Sequence, residues 1–80
     1  MLLYKCQITG GHRLITEVAD KGAAIRLLKR HYFEGNIGNE THFKNVTVMS
    51  TDDGITVNGE LVESKTGNEL DIFEERYVLK

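Results

Sequence analysis

Eighty residues, 40% of them hydrophobic and 28% charged, are enough for one domain over residues 1–80 but not for two independent cores, and this composition excludes a disordered or fibrous class. Cys6 is the lone cysteine, which excludes an internal disulfide framework and fits a reducing compartment, so a cytoplasmic location is expected. The formal net charge of −2 conceals a split: residues 1–50 carry seven Lys/Arg against four Asp/Glu, and residues 51–80 carry three against eight.

The chain opens on Met1-Leu2-Leu3-Tyr4-Lys5. Polar residues interrupt it too soon for a signal peptide, and no apolar run approaches membrane-spanning length. Leu3 to Thr9 is rich in strand formers, stops at Gly10-Gly11 and resumes from Arg13 to Val18, which predicts a hairpin. With the glycines as a two-residue loop, Cys6 pairs with Ile15 and Ile8 with Arg13, so Tyr4, Cys6, Ile8 and Ile15 share an inward face. The period then changes. Asp20 suits an N-cap, Ala23 to Phe33 repeats apolar residues at helical spacing, and Gly35 suits the left-handed cap at the end. Lys29, Arg30 and His31 fall in the last turn, where cations meet the negative end of the helix dipole. Projected at about 100° per residue, Ala24, Ile25, Leu27, Leu28 and Tyr32 form the stripe of a helix lying on a sheet. The opposite side carries Arg26, Lys29, Arg30 and Phe33.

Residues 34–42 lack periodicity and read as a loop. Phe43 to Ser50 alternates, with Val46 and Val48 on one side, and Thr51-Asp52-Asp53-Gly54 turns the chain. Asn58-Gly59 predicts a type I′ hairpin turn between Ile55–Val57 and Glu60–Val62, with Ile55, Val57 and Val62 on one face. Another turn at Thr66-Gly67-Asn68 leads into Glu69 to Leu79. There Leu70 and Ile72 alternate like a strand while Leu70, Phe73 and Tyr77 fit a helix; the preceding turn and the β-forming residues favour the strand. The expected fold is α+β: a two-layer sandwich of ββαβββ order, with one amphipathic helix on one face of an antiparallel sheet. Leu14 and Leu61, with Leu3 beside them, are expected to offer a contact patch on the sheet's open face.

Chemistry-bearing patterns are few. His12, His31, His42 and Cys6 have none of the short paired spacings of a structural zinc site, and Cys6 and His12 are expected on different faces. His31 reads as a packed or capping residue. Asp52-Asp53 and Glu74-Glu75 are paired acids; the first is turn chemistry without the spaced oxygens of a calcium loop, and the second would point to opposite faces of a strand. Gly10-Gly11 precedes a strand, so no helix N-terminus faces an anion there. The two Asn-x-Thr acceptors at Asn39 and Asn45 read as coincidence in a chain with no export signal. No metal, cofactor or catalytic group is expected, and the chain is expected not to be an enzyme.

Binding is the favoured class, because a charge split speaks to partners. One surface is acidic, drawn from Asp52, Asp53, Glu60, Glu63, Glu69 and Asp71, with Glu74 and Glu75; the other is the helix ridge of Arg26, Lys29, Arg30 and Phe33. The first fits another protein, one that itself binds nucleic acid. The second is the alternative, direct contact with nucleic acid, which is disfavoured because three or four phosphate contacts bind weakly and the acidic half repels a duplex. A core this small contributes only about 3–5 kcal/mol, so a homodimer or a partner that shares the load is expected, and no membrane. In size, ββαβββ order and charge the chain resembles the compact proteins that phages use to inhibit host machinery, anti-CRISPR proteins among them. That resemblance implies a small inhibitor or adaptor and carries over no residue.

Overall fold

Asp20 starts the helix through its side chain: Oδ1 accepts the Ala23 amide at 2.7 Å, satisfying a donor that the first turn leaves without an intrahelical partner. The computed structural model describes residues 1–6, 11–34, 40–52 and 54–80. The elements are β1 (Leu2–Cys6), β2 (His12–Glu17), α1 (Lys21–Glu34), β3 (Thr41–Ser50), β4 (Gly54–Glu63) and β5 (Glu69–Leu79). All neighbouring strands are antiparallel, in the order β2-β1-β5-β4-β3. The fold is the α+β sandwich of ββαβββ order, with α1 on one face and no described helix or strand on the other.

Three hairpin neighbours account for most of the sheet, and β5 closes it by inserting between β4 and β1. Leu2 and Lys80 exchange both backbone hydrogen bonds, at 2.8 and 2.9 Å, and lock that insertion. The core lies between sheet and helix. Leu3, Ile55, Val57 and Tyr77 rise from the sheet to meet Ala24, Leu28 and Tyr32, which recur every four residues along α1, and Phe43 and Phe73 pack against them. Tyr32 anchors an aromatic group with centroids 4.9 Å from Phe43 and 5.6 Å from Phe73. That spacing suits offset and edge contacts between rings.

Several expectations from the sequence are corrected. In the first hairpin Cys6 pairs with His12, Lys5 with Arg13 and Tyr4 with Leu14, three positions from the register a two-residue glycine loop requires. An odd shift exchanges the faces of one strand relative to the other, and here β1 turns over while Leu14 and Ile15 on β2 keep their expected sides. Leu3 is therefore fully buried rather than part of an open patch; Lys5 shares its face, and Tyr4 and Cys6 turn to the open face, where Cys6 and His12 are partners. Ile8 and Gly10 lie outside the described residues, as do Gly35 and most of the 34–42 loop, whose last two residues, Thr41 and His42, begin β3.

Asn58-Gly59 makes no turn, and β4 runs straight through it. Gly59 serves packing instead: a Cβ there would stand 2.9 Å from the Phe73 ring and 3.0 Å from Val46, so the missing side chain is the space the aromatic ring occupies. The turn between β4 and β5 is at Ser64–Asn68, where Gly67 has φ 71°, a left-handed conformation glycine adopts without strain. The segment 69–79 is a strand. Ile55 and Val57 face the helix as expected, but alternation along the unbroken β4 sends Val62 to the other side, where it is buried apart from the main core, and puts Leu61 opposite Phe43 on the helix side. Leu14 does stand on the open face, exposed. On α1, Leu27 lies at the margin of the buried stripe and is 39% exposed.

Candidate functional site

The helix places Arg26, Lys29, Arg30 and Phe33 on consecutive turns of its outer side, and all four are exposed. They form one ridge, as their spacing predicts. The acidic residues do not form one surface. Asp52 is exposed in the β3–β4 turn, at the opposite end of β4 from Glu63, a separation of about 30 Å at 3.3 Å per residue. Asp53 lies outside the described residues.

Glu60, Glu63, Glu69 and Asp71, by contrast, are brought together where β4 and β5 extend beyond the helix. Here Leu61 opposes Asp71, Glu60 opposes Ile72, and Val62 opposes Glu69, with Leu70 as an extra residue on β5. Alternation puts Glu60, Glu69 and Ile72 on the open side and Glu63 and Asp71 on the helix side. Glu69, Leu70, Asp71 and Ile72 are all exposed, while Val62, the β4 partner of Glu69, is buried. Among the described residues the other edge of this stretch has no neighbour: β1 pairs with β5 from Arg76 to Leu79, and no described strand borders Glu69 to Phe73. Local bonds hold the arm's shape. Glu60 accepts from the Asn45 amide at 2.5 Å, and Glu63 from the Thr66 hydroxyl at 3.1 Å. Asn45, at φ 53°, sits in the β3 bulge opposite Gly59, a conformation asparagine tolerates better than most residues.

A second site was missed by sequence reasoning. Lys5 Nζ donates to Glu75 Oε1 at 2.6 Å, and Glu75 Oε2 accepts from the hydroxyls of Tyr32 and of Tyr77, the latter at 2.8 Å. The two hydroxyls stand 2.5 Å apart. Burial pushes the Tyr77 hydroxyl well above the usual tyrosine range; the hydrogen bond to Glu75 and that residue's charge push the same way, and Arg13 acts in the opposite direction. Tyr77 is thus held as a neutral donor. The group lies at the floor of a cleft of about 450 Å³ between the second half of α1 and the strands β2, β1 and β5. Arg13, Ile15, Leu27, His31 and Phe43 complete its walls. His31, expected to be packed or capping, lies in the last turn of α1 and is exposed at the cleft, its ring edge-on to Tyr32 at 5.0 Å. The sequence carried no signal for it, because the register decides it: the true pairing sets Lys5 between Arg13 and Tyr77 on one face, whereas the two-glycine loop aims Lys5 at solvent.

No family model, curated protein or solved structure matches this chain. Among the described residues there is no group of three or more His, Cys, Asp or Glu that could hold a metal ion, although Cys6 and His12 are cross-strand partners. No described helix is long and apolar enough to cross a membrane.

Proposed function

We propose that this chain is a non-catalytic protein-binding module, an adaptor or inhibitor acting in the cytoplasm, and that it takes an extended basic segment of its partner onto the β4–β5 arm. The observation that carries this is the stretch Glu69–Ile72, exposed on both faces and bordered by no described strand on one edge. A strand edge of this kind presents unpaired amides and carbonyls that another strand can complete. Exposed Leu70 and Ile72, the latter 71% accessible, supply apolar anchors, and Glu60, Glu63, Glu69 and Asp71 select for lysine and arginine. Pairing of two copies through this edge would set like charges beside each other across the join, which disfavours a homodimer here. A surface that attracts basic segments also suits an inhibitor that occupies a nucleic-acid groove on another protein, in line with the resemblance in layout to phage inhibitors.

The test is charge reversal with a control for folding. A tagged chain carrying Glu60→Lys, Glu63→Lys, Glu69→Lys and Asp71→Lys loses its captured partner while its circular dichroism is unchanged. Variants with Asp52→Lys, or with Arg26→Glu, Lys29→Glu and Arg30→Glu, retain that partner. Retention by the arm variant, or loss with the ridge variant alone, overturns the reading.

A further inference from the structure

The cleft beside α1 combines shape and unbalanced charge independently of the arm. Its volume of about 450 Å³ falls in the range of roughly 300–1,000 Å³ that small-molecule sites occupy. Ile15 from β2, Leu27 and Leu28 from α1 and Phe43 from β3 make an apolar wall. Ile15 and Leu27 are both 39% exposed although large and aliphatic. The facing wall is polar, and most of it is already committed. Lys5 is neutralised by Glu75, and both oxygens of that carboxylate are occupied by Lys5 and the two tyrosine hydroxyls. A metal cation therefore finds no spare carboxylate oxygen, and a phosphate dianion finds too little positive charge.

Arg13 is the exception. It lines the cleft from β2, opposite Lys5 in the register, and among the described residues it has no carboxylate within salt-bridge distance. A guanidinium presents its donors in a planar fork matched to a carboxylate. One uncommitted guanidinium beside an apolar wall defines a ligand with one negative end and a hydrophobic body. We propose that the cleft binds a small organic carboxylate, its charge paired with Arg13 and its chain lying between Ile15, Leu27 and Phe43.

Octanoate is the probe, with acetate as the charge without the body and octanol as the body without the charge, each titrated into the ¹⁵N-labelled chain. Octanoate is expected to give saturable shifts at Arg13, Ile15, Leu27 and His31, and to bind at least about tenfold more tightly than either control, the worth of one charged hydrogen bond. Arg13→Ala should lower octanoate affinity by about the same factor and leave octanol unchanged; Arg13→Lys, which keeps the charge, should recover part of it. Arg13 is exposed, so these variants fold, and the arm variants should bind octanoate like the parent. No saturable shift with octanoate, equal binding of octanol, or shifts confined to the open face of the sheet would refute the site. So would shifts of the same residues on raising the protein concentration without octanoate, which would make the cleft a surface between copies.

Discussion

β5 passes through two environments. From Arg76 to Leu79 it has β1 on one edge and β4 on the other, with α1 above it, and Tyr77 is buried. From Glu69 to Ile72 β4 is its one described neighbour, and all four residues are exposed. The residue types hardly announce the change, because Leu70 and Ile72 are as apolar as Val78 and Leu79. What differs is the set of described neighbours: β1 covers five residues, Leu2–Cys6, against eleven for β5. Stability therefore concentrates in the half of the strand that has a described neighbour on both edges.

The contrast breaks most visibly at Leu3, the fully buried β1 residue that pairs with Leu79. Leu3→Ala should cost about 2–5 kcal/mol, comparable with the whole stability of a domain this small, so urea melts should show a largely unfolded chain. A loss below about 1 kcal/mol would mean that the core is not organised around the β1–β5 join.

A smaller effect is expected at Tyr77. Because its hydroxyl resists ionisation in the folded chain, both states keep the proton below pH 10, the ordinary value, and the contribution is whole there. Above that value the unfolded chain releases the proton and the folded one does not, so stability should fall by about 1.4 kcal/mol per pH unit from this group. Tyr77→Phe should cost about 1–2 kcal/mol at neutral pH by removing a bond to a charged partner, and should flatten the alkaline slope. An identical slope in both proteins, followed by denaturant midpoints from pH 9 to 11, would contradict the buried hydroxyl cluster.

The least effect is expected on the arm. Ile72→Ala should change stability by no more than about 0.5 kcal/mol, since the side chain is 71% exposed. A thermal shift of several degrees would show that this half of β5 is covered after all.

Much of the fold was legible locally. The Asp20 cap, the four-residue recurrence of Ala24, Leu28 and Tyr32, and the turns at Thr51–Gly54 and Thr66–Asn68 depend on residues close in sequence, and the structure agrees. Asn58-Gly59 misled because its pattern fits a turn equally well; only the Phe73 ring from another strand shows why a glycine stands there. The candidate sites followed the same rule. The basic ridge on α1 was visible because a helix sets its own spacing. The acidic residues were visible as a set but not as an arm, since Asp52 and Glu63 lie at opposite ends of one strand.

By itself, then, the sequence determined the class of fold, the helix with its inner and outer sides, and an acidic second half. Tertiary structure alone decided the register of β1 on β2, the join of β1 to β5, the exposed length of β5 and the meeting of Lys5, Glu75, Tyr32 and Tyr77. The physical reason lies in strand geometry: side chains alternate with a period of two, so a slip of an odd number of residues leaves local propensity untouched and exchanges the two faces. Partners seventy residues apart in the chain, as Lys5 and Glu75 are, are brought together only by the long-range pairing that sets this register.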